Sequence, residues 1–259
     1  MDLGLKGKKA IVCASSRGLG KACAMSLARE GVSVIINGRN QKSLHETAAE
    51  IREETGSLVI PVIGDVSTTE GQKALLAACP TPDILINNTS CPPMGNFRDW
   101  NQEDWINAAL INMIGPIEMI KGTIDGMIER KFGRIVNITS RATKMTLEGL
   151  GLSSAARAGL TAFVANLARK SIRYNVTINN LLPGSFNTAS FQRFMKFSAQ
   201  EKGVTTEQEI CQRFAQIPAG RFGTPRELGD ACAFLCSSQM GYVTGQNLLL
   251  DGGTYPGIF

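Results

Sequence analysis

Short apolar runs rich in β-branched residues recur along the chain at 10–13, 32–37, 59–64, 84–87, 134–139, 176–181 and 247–250, and each predicts a buried strand. Between them apolar positions fall at helical spacing, most clearly over 20–30, 41–55 and 153–174. Strands alternating with helices predict βαβ units. The expected fold is therefore α/β: one domain over 1–259, a doubly wound, seven-stranded parallel sheet with helices on both faces. Such sheets bind ligands at the carboxyl ends of their strands. The rhythm breaks over 187–224, where Phe191, Phe194, Met195 and Phe197 precede a polar KGVTTEQE, then Phe214 and Phe222. That stretch reads either as a helical flap over a substrate pocket or as ordinary core and subunit-contact residues.

Composition narrows the class. Of 259 residues, 43% are hydrophobic and 19% charged, a globular balance. The net charge of +5 is scattered through the helices, which argues against a nucleic-acid partner. No apolar run approaches the ~20 residues of a membrane helix. The beginning, MDLGLKGKKAIVCASS, lacks the apolar core and cleavage site of a secretion signal. The seven cysteines (13, 23, 79, 91, 211, 232 and 236) form no CxxC pair, and no metal site is expected. They read as reduced thiols of a cytoplasmic protein. His45, the one histidine, sits among polar residues and reads as a surface side chain.

The first strand runs into Cys13-Ala14-Ser15-Ser16-Arg17-Gly18-Leu19-Gly20, with a helix directly after. Glycines there let the backbone approach a pyrophosphate, and the helix N-terminus offers unpaired N–H groups. Ser15 and Ser16 are expected to offer hydroxyls to phosphate oxygens, and Ala14 to be tolerated with a negative φ. The second strand ends in Asn37-Gly38-Arg39-Asn40. An acid at that point would bind the ribose hydroxyls of NAD and repel a 2′-phosphate; none is present. Arg39 and Arg17 can converge on a phosphate, so NADP is favoured over NAD.

This turn resembles the TGxxxGxG motif of the short-chain dehydrogenases/reductases. Later landmarks are similar to that family in order and spacing: Asp65-Val66, Asn87-Asn88-Thr89-Ser90, Pro183-Gly184 with Thr188, and the tail from Arg221-Phe222-Gly223-Thr224-Pro225 through Val243-Thr244-Gly245-Gln246 to Asp251-Gly252-Gly253. The resemblance implies a Rossmann fold. It places Asp65 and Val66 against adenine, Asn88 in the family's NNAG loop, and Pro183, Gly184 and Thr188 around the nicotinamide.

The family uses Ser, Tyr and Lys, supported by Asn. On that resemblance Asn112 matches the Asn and Ser140 the Ser, which polarises the carbonyl. The Tyr and Lys positions hold Ser153 and Arg157, in Ser153-Ser154-Ala155-Ala156-Arg157. These are i and i+4, still on one helix face. A serine hydroxyl is a far weaker acid than a phenol, and arginine keeps its proton, although Arg157 can still bind ribose or phosphate. Lys144, four residues after Ser140, is the expected substitute proton donor, with Ser153 positioning substrate or water. The expected activity is NADP-dependent interconversion of a carbonyl compound and a secondary alcohol, 3-oxoacyl reductase-like, on a small-molecule substrate. A non-redox lyase, isomerase or hydratase on the same scaffold, or a cofactor-binding protein without turnover, stays open. By resemblance the chain should form a homotetramer or dimer.

Overall fold

The computed structural model describes residues 1–258. Among them, seven parallel strands form one sheet in the order β3-β2-β1-β4-β5-β6-β7. They are β1 (Lys9–Val12), β2 (Ser33–Gly38), β3 (Val59–Ile63), β4 (Ile84–Asn87), β5 (Gly133–Ile138), β6 (Val176–Pro183) and β7 (Asn247–Leu250). All seven expected strands are present, two with their expected ends and the others shifted by a residue or two.

The first strand shows why helices cover both faces. Ala10 and Val12 turn one way, Ile11 and Cys13 the other, and all four are fully buried. Ala10 and Val12 pack with α1 (Gly18–Arg29), α2 (Gln41–Thr55) and α9 (Pro225–Cys236). Ile11 and Cys13 pack with α3 (Thr69–Ala78), α5 (Gly115–Glu129) and α6 (Gly151–Ser171). The helix α4 (Gln102–Ala109) runs through a π-helical turn, Leu110–Ile114, into α5.

Strand order reverses beside β1: β2 lies on one side and β4 on the other. The two crossovers diverge there and leave a crevice at the carboxyl edge. That edge is pinned by a row of asparagines in register. Asn87 donates to Asn137 at 2.9 Å, Asn137 to Asn180 at 3.0 Å, and Asn180 to Asn247 at 2.7 Å, linking β4 to β7. Each amide satisfies the next, so this polar row is compatible with burial and fixes the register of four strands.

The stretch over 187–224 folds into α7 (Ala189–Glu201) and α8 (Thr206–Ala215) with an apolar cluster of its own. Phe222 sits edge-on to Phe191 at 4.8 Å and to Phe214 at 4.6 Å, with Met195 and Ile217 buried beside them. Phe197 is exposed and takes no part. Between the helices, the buried carboxylate of Glu209 accepts from Ser198, Lys202 and Arg213.

Candidate active site

The turn after β1 is held from both sides. The Ala14 N–H donates to Asn37 Oδ1 at 3.2 Å, and its carbonyl accepts from Asn88 Nδ2 at 3.0 Å. Asn37 is itself anchored on the carbonyls of Val62 and Gly64. These clamps keep Ala14 at φ 43°, which overturns the expectation of a negative φ. Ser15 also departs from expectation. Its hydroxyl is fully buried, donates to the Val12 carbonyl at 2.6 Å and accepts from the Asn37 N–H at 3.0 Å, so it joins β1 to β2 and offers nothing to a phosphate. Ser16, Arg17, Gly18 and Leu19 do face the crevice. Gly20 is required by space: a Cβ there would lie 2.5 Å from the Ala14 carbonyl oxygen. No side chain caps α1, so its first N–H groups open onto the crevice.

The crevice is a cavity of about 750 Å³ along the carboxyl edge. At one end, Gly38 leaves no room for a side chain, because a Cβ would lie 2.8 Å from that of Ser16. Arg39 is exposed, with a guanidinium nitrogen 3.4 Å from Asp65 Oδ2. Burial pushes the Asp65 carboxyl up, but hydrogen bonds from the Ser67 hydroxyl and N–H and the Arg39 charge outweigh it and hold the carboxyl below its ordinary value. Asn40 lines the same end while its side-chain oxygen caps α2, accepting from the Ser43 N–H at 2.9 Å. Val66 and Asn88 line the middle; Pro183, Gly184 and Thr188 line the far end. Thr188 also caps α7 through a hydrogen bond from the Phe191 N–H.

The reaction centre is a chain of hydrogen bonds. Asn112, buried in the π-helical turn, donates to Thr89 Oγ1 and to the Ser90 carbonyl, both at 2.8 Å. Its Oδ1 accepts from the Ser153 hydroxyl at 3.3 Å, and that hydroxyl accepts from Arg157 Nε at 3.0 Å. Arg157 also donates to the carbonyls of Ile138 at 2.8 Å and Thr139 at 3.1 Å, at the end of β5. Burial lowers its pKa. Ser153 therefore spends its one hydrogen on Asn112. Ser140 faces the cavity; its Oγ accepts from the Ala142 N–H at 3.1 Å, and among the described residues nothing accepts its hydroxyl hydrogen.

Lys144 is the third correction. It is exposed and lies outside the crevice, in a shallow hollow with Met145 and Leu147, with its Nζ 5.7 Å from the Tyr255 ring centre. The short 3-10 turn Arg141–Thr143 carries the chain away from the cavity after Ser140. Structure brings Asn112, Ser140, Ser153 and Arg157 together and leaves Lys144 apart.

Sequence reasoning missed several cavity residues, Asn37, Cys91, Leu150 and Phe186, whereas Phe191, which it read as part of the 187–224 stretch, does line the cavity. Asn37 and Cys91 had a readable signal. One ends the second strand, and the other directly follows the Asn87-Asn88-Thr89-Ser90 loop.

Comparison with known proteins agrees with this geometry. Residues 13–255 match the family described as enoyl-(acyl carrier protein) reductase. The chain is 30% identical to the 3-oxoacyl-[acyl-carrier-protein] reductase of Vibrio cholerae, covering 98% of this chain and 99% of that protein. It is 31% identical to gluconate 5-dehydrogenase of Gluconobacter oxydans, covering 96% and 95%. A crystal structure of L-sorbose reductase from Gluconobacter frateurii, complexed with NADPH and L-sorbose, superposes with a TM-score of 0.94 at 28% identity over the full length of both chains.

Proposed function

The chain belongs to the short-chain dehydrogenase/reductase family of oxidoreductases, and on that premise we propose that it reduces a carbonyl compound to a secondary alcohol with NADPH. The observation that carries the cofactor choice is the end of β2. Gly38 excludes an acidic side chain by contact with Ser16, and Arg39 and Arg17 border the cavity there. Guanidinium groups beside an adenosine ribose favour a 2′-phosphate, and no carboxylate at position 38 repels it.

Ser16, Gly18 and Leu19 would hold the pyrophosphate, with Gly20 letting the turn close on Ala14 and Arg17 joining Arg39 at the 2′-phosphate. Arg39 and Asn40 would hold the 2′-phosphate, Asp65, Val66 and Asn88 the adenosine, and Pro183, Gly184 and Thr188 the nicotinamide. Arg157 would meet the adjoining ribose. When bound, the reduced cofactor supplies the hydride. Ser140 polarises the carbonyl through its free hydrogen. Substrates of the relatives suggest a keto-sugar or a 3-oxoacyl compound. The segment 187–224, with Phe191 on the cavity wall, is the substrate flap. Cytoplasmic residence and a homotetramer, or a dimer, complete the reading.

Calorimetric titration tests it. NADPH should bind about tenfold or more tightly than NADH, a difference of ~1.4 kcal/mol. Arg39→Ala should erase most of the difference. Equal or reversed affinities in the unaltered protein would sink the cofactor choice.

A further inference from the structure

A proton is still unaccounted for. Reduction of a carbonyl needs one on oxygen, and the family's phenol is replaced by Ser153, whose hydrogen is held by Asn112. Lys144 stands outside the cavity. Of the described residues lining the cavity, the ionisable ones are Arg17, Arg39, Asp65, Cys91 and Arg157. The first three border the adenosine end. An arginine holds its proton through any neutral-pH cycle. That leaves Cys91.

We propose that the Cys91 thiol is the proton donor of the reductase, and that Arg157 stabilises the thiolate it leaves. This rests on the reductase reading above. Cys91 is exposed on the cavity wall, one peptide beyond Ser90, whose carbonyl is fixed by Asn112 at 2.8 Å. The same Asn112 leads through Ser153 to Arg157. Arg157 is buried, and its hydrogen bonds run to a hydroxyl and two backbone carbonyls. A buried guanidinium gains from any negative charge that develops beside it. A thiolate at Cys91 would raise the pKa of Arg157, opposing the larger effect of burial. A thiol is a stronger acid than a serine hydroxyl or a phenol.

The step balances. The carbonyl carbon gains hydrogen and an electron pair as hydride from the reduced cofactor. The S–H bond of Cys91 breaks, an O–H bond forms on the substrate oxygen, and the electron pair stays on sulfur. Water at the open mouth then reprotonates the thiolate. Arg157, at the position where the family has lysine, thus supports the donor.

Two measurements test this with purified protein. The first needs no turnover: iodoacetamide alkylation, followed by peptide mass spectrometry, with the exposed Cys211 as internal reference. At NADPH near about ten times its Kd, Cys91 should react about tenfold more slowly, because bound cofactor covers the cavity. Without cofactor, Arg157→Met should slow alkylation of Cys91 about threefold or more, and Arg157→Lys should restore most of it. The second is NADPH oxidation with ethyl acetoacetate and L-sorbose. Cys91→Ala should lower kcat about 10²-fold, with NADPH affinity within about twofold of the unaltered protein. No ketone-dependent oxidation by the unaltered protein would overturn the reductase reading and this proposal with it. Ketone reduction that survives in Cys91→Ala, or alkylation of Cys91 indifferent to NADPH and to residue 157, overturns the proposal alone.

Discussion

Ala14 occupies a left-handed conformation that costs an alanine ~1–2 kcal/mol, and two asparagine clamps hold it there. Ala14→Gly should remove that strain at some cost in unfolded-chain entropy, for a net gain of about 0.5–1 kcal/mol. The midpoint of urea unfolding should rise, with NADPH affinity kept; a lower midpoint would mean that the alanine methyl contributes packing the strain argument ignores. The sign of this φ was not legible in the sequence. It is set by Asn37 and Asn88, which arrive from other strands. Ser15 and Lys144 were misplaced for the same reason. Residue type and spacing locate a backbone position well, but the direction of a side chain depends on partners far along the chain. Asn112, Ser140, Ser153 and Arg157 were located by resemblance to the family, and they lie on the π-helical turn, just after β5 and on α6. Cys91 sits on an irregular loop, where no periodicity points to it.

Among the elements, the strands were the most legible, since burial on both faces writes short runs rich in Ile, Val and Leu into the sequence. The helical pair over 187–224 was legible as an interruption that read either as a helical flap or as core and contact residues, because its aromatic residues pack on one another rather than on the sheet. Its internal tie is ionic. The hydrogen bond from Lys202 is the main reason that the Glu209 carboxyl lies below its ordinary value, against burial, with Arg213 and Ser198 adding to it. A carboxyl whose folded pKa is depressed stabilises the fold fully above its unfolded value of ~4.3, and that stabilisation is lost as pH falls through the folded value. Acidification below about pH 4 should therefore raise amide exchange in α7 and α8 before exchange in the sheet. Glu209→Gln should loosen the same two helices at pH 7 and raise KM more than it lowers kcat. Exchange in α7 and α8 no faster than in the sheet would show that the aromatic cluster alone holds the pair.

For the whole molecule, two of the apolar areas that a single copy leaves in water bear on assembly. Trp105, Ile106, Leu110 and Ile114, on α4 and the π-helical turn after it, are between 39% and 50% exposed. Their neighbours on α6, Phe163 and Leu167, are only partly covered. On another side, β7 is the last strand of the sheet, and Leu248 on it is 41% exposed. An open edge and an unpartnered apolar helix face both invite association. Two distinct self-complementary patches generate two different two-fold axes, and two such axes at right angles close a tetramer without leaving a patch free. We therefore expect light scattering at micromolar concentration to give four times the chain mass. Ile106→Glu with Leu110→Glu would place two like charges against their own copies across the first axis. Those substitutions should yield a dimer joined through β7, with circular dichroism unchanged. Leu248→Glu should yield the other dimer, and all three substitutions together a monomer. A tetramer that survives both sets would assign the contacts to other surfaces, and a monomeric unaltered chain would reject assembly through these patches altogether.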